Sequence, residues 1–140
     1  MPVQSVWMMR ISMVWLLLTV ITGGLLLVHK GIEIHPAMWA LLPLHFEMAM
    51  WGWIVQLAMG TAYWIFPRHL EGKIRGAEMP ATCMVVLFNA GLMVVLMSSL
   101  HKFPIILPVS GRIMIAISIL IFMMLMWGRV KSYRQLKSPV

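Results

Sequence analysis

The chain has 140 residues, of which 61% are hydrophobic and 11% charged, with a net charge of +7. A soluble domain is about half apolar and a quarter charged, so this composition excludes an ordinary soluble enzyme, a disordered chain and a nucleic-acid binder. The positive charge is not spread over a polar surface and reads as membrane topology. A single cysteine, Cys83, excludes an intrachain disulfide framework and any CxxC metal or redox motif.

Four apolar stretches follow in order: Trp7–Val28, Met38–Phe66, Ala81–Leu100 and Ile105–Trp127. Each is long enough to cross a hydrocarbon layer of ~30 Å, which takes ~20 helical residues. The first is too long for a signal peptide and lacks a small-residue cleavage site, so it is read as a helix. The second is long enough to tilt or to begin at the interface, with Pro43 marking a break. Polar segments with helix-stopping residues separate the four: Gly31 and Pro36, then Pro67, Gly72 and Gly76, then Pro104. Short connections make consecutive helices antiparallel neighbours. The expectation is an all-α, four-helix up-down membrane bundle over residues 1–128, with a short basic tail over 129–140.

Charge asymmetry orients this bundle. Arg10, Arg68, Lys73, Arg75, Arg129, Lys131, Arg134 and Lys137 fall on one side, and Lys30, Lys102 and Arg112 on the other. The side richer in Lys and Arg is cytoplasmic. Both termini are therefore expected in the cytoplasm, in a prokaryotic cytoplasmic membrane, with the tail lying on anionic lipid.

Polar residues within the spans are the candidates for function. At ~1.5 Å per residue, Gln56 stands ~15 Å up the second helix and Asn89 ~13 Å up the third. They share a level near the bilayer centre, where they form either an interhelical amide bond or a contact to quinone or a proton path. His45, Glu47 and Arg112 lie near the outer boundary, at ~32, ~29 and ~24 Å. His29 and His101 end the first and third helices at about that level. Histidines on facing helices suit the two axial positions of a haem, although loop-end histidines also simply reach for water. Glu47 is the one acidic residue within a span, and Arg112 is the natural partner for it or for an anionic group such as a haem propionate or lipid phosphate. Along the second helix His45, Gly52, Gln56, Gly60 and Tyr63 form a stripe of small and polar residues. Such a stripe admits a close helix or a flat cofactor.

The segment Leu44–Gly72, LHFEMAMWGWIVQLAMGTAYWIFPRHLEG, resembles the histidine-bearing helix of haem–copper oxidase subunit I and its smaller membrane relatives. His45 matches the first histidine of a His-x-His pair, and Gly52-Trp53, Gly60, Tyr63 and Pro67-Arg68 match the positions that follow. Glu47 replaces the second histidine, and the further ligands of a copper–haem centre have no counterparts. The resemblance covers about a fifth of the chain. It implies a fragment-like oxidase fold that keeps at most one haem b, with His45 as iron ligand; common depth leaves His101 or His29 as the second, and His101 is preferred because the third helix is the antiparallel neighbour. Two functions follow as expectations. One is a small subunit of a respiratory or related electron-transfer complex that contacts haem, quinone or a larger subunit through His45, Gly52, Gln56 and Arg112. The other is a cofactor-free structural or assembly subunit among larger membrane partners. An independent enzyme is not expected, since no nucleophile–base constellation exists.

Overall fold

A computed structural model describes residues 1–66, 78–100, 103–127 and 129–130. Those residues are almost all helical, and none of them forms a strand. Helix α1 runs Val3–Gly31. It starts behind Pro2, which is extended and lacks a donor that a first turn would leave unpaired anyway. It stops where Ile32 turns extended after Gly31, with His29 and Lys30 in the last turn beside the free carbonyls.

A second helical rod occupies residues 36–65, and its bonding changes along its length. A 3-10 turn, Pro36–Ala40, opens it. His35 caps that turn, its Nδ1 accepting from the Ala37 N–H at 3.2 Å. Helix α2 follows over Leu41–Glu47, then a π-helical segment over Met48–Val55, then α3 over Gln56–Ile65. Pro43 does not break this rod. It sits in the first turn of α2, where a missing N–H and a fixed φ are tolerated. The irregularity comes one step later, in the π-helical segment, which no residue pattern announced. Phe66 ends α3 with φ −58° and ψ 143°, as the residue before Pro67 must avoid the α region.

Helices α4, Glu78–Leu100, and α5, Ile106–Trp127, complete the chain. Three helices, α1, α4 and α5, are long and apolar enough to cross a membrane. The four sequence-read stretches thus all fall on helix, with ends shifted by a few residues.

Side-chain contacts define how neighbours run. Positions 23, 52 and 60 place Gly23 against His45, Gly52 against Trp15 and Gly60 against Met8, so α1 and the rod pair antiparallel. Gly91 meets Gly111, and Ser118 donates to the Met84 carbonyl at 2.8 Å, so α4 and α5 also pair antiparallel. Helix α4 is the most enclosed of α1, α4 and α5, with Met84, Phe88 and Leu92 fully buried among Trp15, Met48, Met59 and Ile115. A second cluster of Tyr63, Ala81 and Met126 closes one end. The outward faces carry large apolar side chains, among them Leu17, Leu27, Ile65, Val86, Met97, Met124 and Trp127. Contiguous apolar surface on this scale suits lipid and not water.

Candidate functional site

The inner face of α1 is unusual for a membrane helix. Its buried positions are Ser5, Met8, Ser12, Trp15, Thr19, Leu26 and His29, a 3-4 repeat in which small polar residues alternate with larger ones. The repeat keeps one face turned to the rod, and the small residues let the backbones approach. The stripe on the rod answers it. A Cβ on Gly52 would lie 2.6 Å from Trp15 Cγ, and one on Gly60 would lie 3.0 Å from Met8 Cβ. The surface over Gly52 is therefore filled by the Trp15 ring.

Gln56 is fully buried and donates from Nε2 to Asn89 Oδ1 at 3.1 Å. Asn89 in turn donates to the Val85 carbonyl at 2.9 Å. The common depth read from the sequence is therefore a direct amide bond between α3 and α4. Glu47 and Arg112 also meet, with Arg112 Nη2 at 2.6 Å from Glu47 Oε1. The carboxylate side chain is 14% exposed and the guanidinium 60%, so the pair lies at the rim of the bundle with its acid turned inward. This ties the end of α2 to α5.

His45 turns toward α1. Its Nδ1 lies 3.0 Å from the Thr19 carbonyl oxygen and 3.4 Å from Thr22 Oγ1, and its Cε1 occupies the space where a Cβ on Gly23 would lie 2.8 Å away. Gly23 is what allows the ring to sit flush on α1. His29 is nearly fully buried instead of reaching water. Its Nδ1 accepts from the Ile34 N–H at 3.2 Å, and its ring meets Trp39 edge-on at 5.3 Å. It fastens the connection between α1 and the rod. His101 lies outside the described residues, as do Arg68, Lys73, Arg75 and the tail from Lys131 on.

Arg129, read from the sequence as the first residue of a loose tail, belongs to the helical body. It is 2% exposed. Nη2 donates to the Tyr63 and Phe66 carbonyls at 3.1 and 2.9 Å, and the guanidinium lies 5.0 Å from the Tyr63 ring centroid. A cation on the last carbonyls of α3 satisfies groups that no intrahelical donor reaches. The Pro67 stop made those carbonyls free, but no sequence spacing linked residue 129 to them.

An open groove of about 570 Å³ runs between α1 and α4, walled by Trp7, Ile11, Val85, Val86 and Met93, with Asn89 in its lining. It carries no histidine. Among the described residues no group of three or more His, Cys, Asp or Glu side chains could hold a metal ion. A haem needs ligand nitrogens facing a slot. His45 meets half of that requirement: an Nδ1 anchored on a carbonyl leaves Nε2 as the ligating atom, as metal-bound histidines are held. His29 differs: its Nδ1 accepts from the Ile34 N–H, which places the neutral ring's proton on Nε2.

No protein-family pattern, curated protein or solved structure matches the chain.

Proposed function

We propose that the chain is an integral membrane protein of four passes, running up and down with both termini cytoplasmic, that serves as a small structural subunit beside larger membrane partners. One observation carries this reading. The polar head groups within the apolar stretches bind other helices of the same chain: Gln56 binds Asn89, Glu47 binds Arg112, and His45 lies on the Thr19 carbonyl. Polar groups in lipid are costly, and pairing them across helices fixes register and neighbour choice. The large apolar outer faces remain for lipid and partner helices.

A second reading rests on His45 and on the resemblance of its helix to oxidase subunit I. In it the chain is the haem b or quinone-contacting subunit of a prokaryotic electron-transfer complex, with His45 Nε2 on the iron. A reduced-minus-oxidised spectrum of the purified chain and of its native membrane complex separates the two. The structural reading expects no b-type band near ~560 nm from this chain, axial histidine ligation being the source of such a band. A band that is present in the wild type and lost in His45→Ala overturns it in favour of the second.

A further inference from the structure

Arg112 is a cation set in a face of exposed apolar side chains. It lies ~9 Å inside the start of α5 at Ile106, at ~1.5 Å per residue, and its side chain is 60% exposed. Around it on the same helix Ile105, Ile106 and Val109 are exposed toward the helix start, and Ile113, Ile117 and Leu120 beyond it. A charge on a lipid-facing surface is costly at this depth. Glu47 relieves that cost on one side only, where its Oε1 accepts from Nη2. Among the described residues no other group binds the guanidinium. We propose that Arg112 binds the phosphate of a membrane phospholipid, whose acyl chains lie along Ile113, Ile117 and Leu120.

A guanidinium is a planar fork with donors on more than one edge, and it suits phosphate as well as carboxylate. Glu47 occupies one edge and holds the plane in place, which leaves the remaining donors for a second anion. A long arginine side chain also reaches toward head-group level while its Cα stays in the apolar layer. The complement of a cation at the head of an apolar stripe is an anion that carries its own apolar chains. A soluble anion satisfies the guanidinium and leaves the stripe bare, whereas a phospholipid satisfies both. Glu47 also opposes the second anion, because its negative charge lies against the same cation. Its removal by an isosteric amide keeps an oxygen for Nη2 and takes that repulsion away. The proposal rests on the reading of α5 as a membrane pass, and it is the same for the structural and the haem-bearing role.

The test is native mass spectrometry of the full chain released from detergent, with phosphatidylglycerol titrated in and bound lipid counted per chain. Arg112→Gln should lower the affinity of the first lipid about tenfold, the worth of one charge-assisted hydrogen bond. Lys30→Gln removes the same charge from an exposed residue at the same end of the bundle and should leave that affinity unchanged. Glu47→Gln should raise it by up to about fivefold, the range of an exposed ion pair. Arg112→Gln and Glu47→Gln break the same pair, so damage to the fold moves both affinities down, and opposite shifts identify the guanidinium as the site. Unchanged binding in Arg112→Gln, or a parallel loss in both variants, overturns the proposal. Equal competition by glycerophosphoglycerol, the head group without chains, overturns it in favour of a soluble phosphate. A lipid-free dimer that Arg112→Gln dissociates overturns it in favour of a second copy of the chain. A chain that stays monodisperse without detergent overturns the membrane reading itself.

Discussion

The contact between α4 and α5 turns on two glycines that face each other. A Cβ on Gly91 would stand 2.7 Å from the Gly111 carbonyl oxygen and 2.9 Å from Met114 Cβ, and a Cβ on Gly111 would stand 2.8 Å from the Gly91 carbonyl oxygen. The two carbonyl oxygens are backbone atoms and cannot rotate away. Ordinary contact begins at 3.4 Å, so Gly91→Ala requires the helices to part by 3.4 − 2.7 = 0.7 Å at this crossing. Overpacking of this kind costs about 1–3 kcal/mol. Alanine returns up to ~1 kcal/mol through better helix propensity. The net expectation is a loss of about 1–2 kcal/mol for Gly91→Ala and likewise for Gly111→Ala. The double variant should lose less than the sum, because parting the helices for one methyl relieves the other. Gly24 is the internal control, having no atom within 4 Å of a built Cβ. Gly24→Ala should leave stability unchanged or raise it by about 0.5–1 kcal/mol. Reversible unfolding in mixed micelles or bicelles reads all four variants. If Gly91→Ala and Gly111→Ala behave like Gly24→Ala, the close crossing is not part of the folded bundle and the reasoning fails.

Two further perturbations probe the polar pairs. Asn89→Leu should cost about 1–2 kcal/mol and Gln56→Leu less, because the first strands a fully buried amide while the second leaves Asn89 its bond to the Val85 carbonyl. The same unfolding assay should show the double variant costing less than the sum, and an equal, additive pair of effects would deny the bond. Glu47→Gln should destabilise by no more than about 1 kcal/mol, since the 60% exposed guanidinium is screened. Adding Arg112→Gln should recover part of that loss, and a double-mutant cycle with zero coupling would remove the ion pair from the account.

Much of the scaffold is legible in the residues because lipid imposes a simple rule: about twenty apolar residues make one pass. Depth along each stretch was enough to bring Gln56 to Asn89 and Glu47 toward Arg112, since a rise per residue converts position into height. What depth cannot give is rotation about the helix axis. It therefore did not reveal that Trp15 covers Gly52, that Gly23 makes room for His45, or that Gly91 and Gly111 touch. A seven-residue recurrence of small polar residues on α1, Ser5, Ser12 and Thr19, is the available signal for the buried face of that helix. Those serines and threonines are weakly polar, and a search for charged and amide groups passes over them. The place of Arg129 is hidden in the sequence for another reason. Charge asymmetry assigns a side of the membrane and says nothing about which carbonyls a guanidinium then finds.

Rotation also separates two features that the resemblance joins. The resemblance proposed for Leu44–Gly72 would set a His-x-His pair against His45 and Glu47 of this chain. Residues two apart on a helix point about 200° from each other, so the two positions serve different neighbours. His45 faces α1 and lies on the Thr19 carbonyl, whereas Glu47 faces α5 and holds Arg112. The carboxylate at position 47 therefore acts on the contact between α2 and α5. It compensates a guanidinium at the rim. It removes nothing from the surroundings of His45, which depend on Thr19, Thr22 and Gly23. Whether His45 meets an iron or only a neighbouring helix is thus decided on the α1 side of the rod, by the atoms that Nε2 faces, and the departure at position 47 is neutral to that outcome.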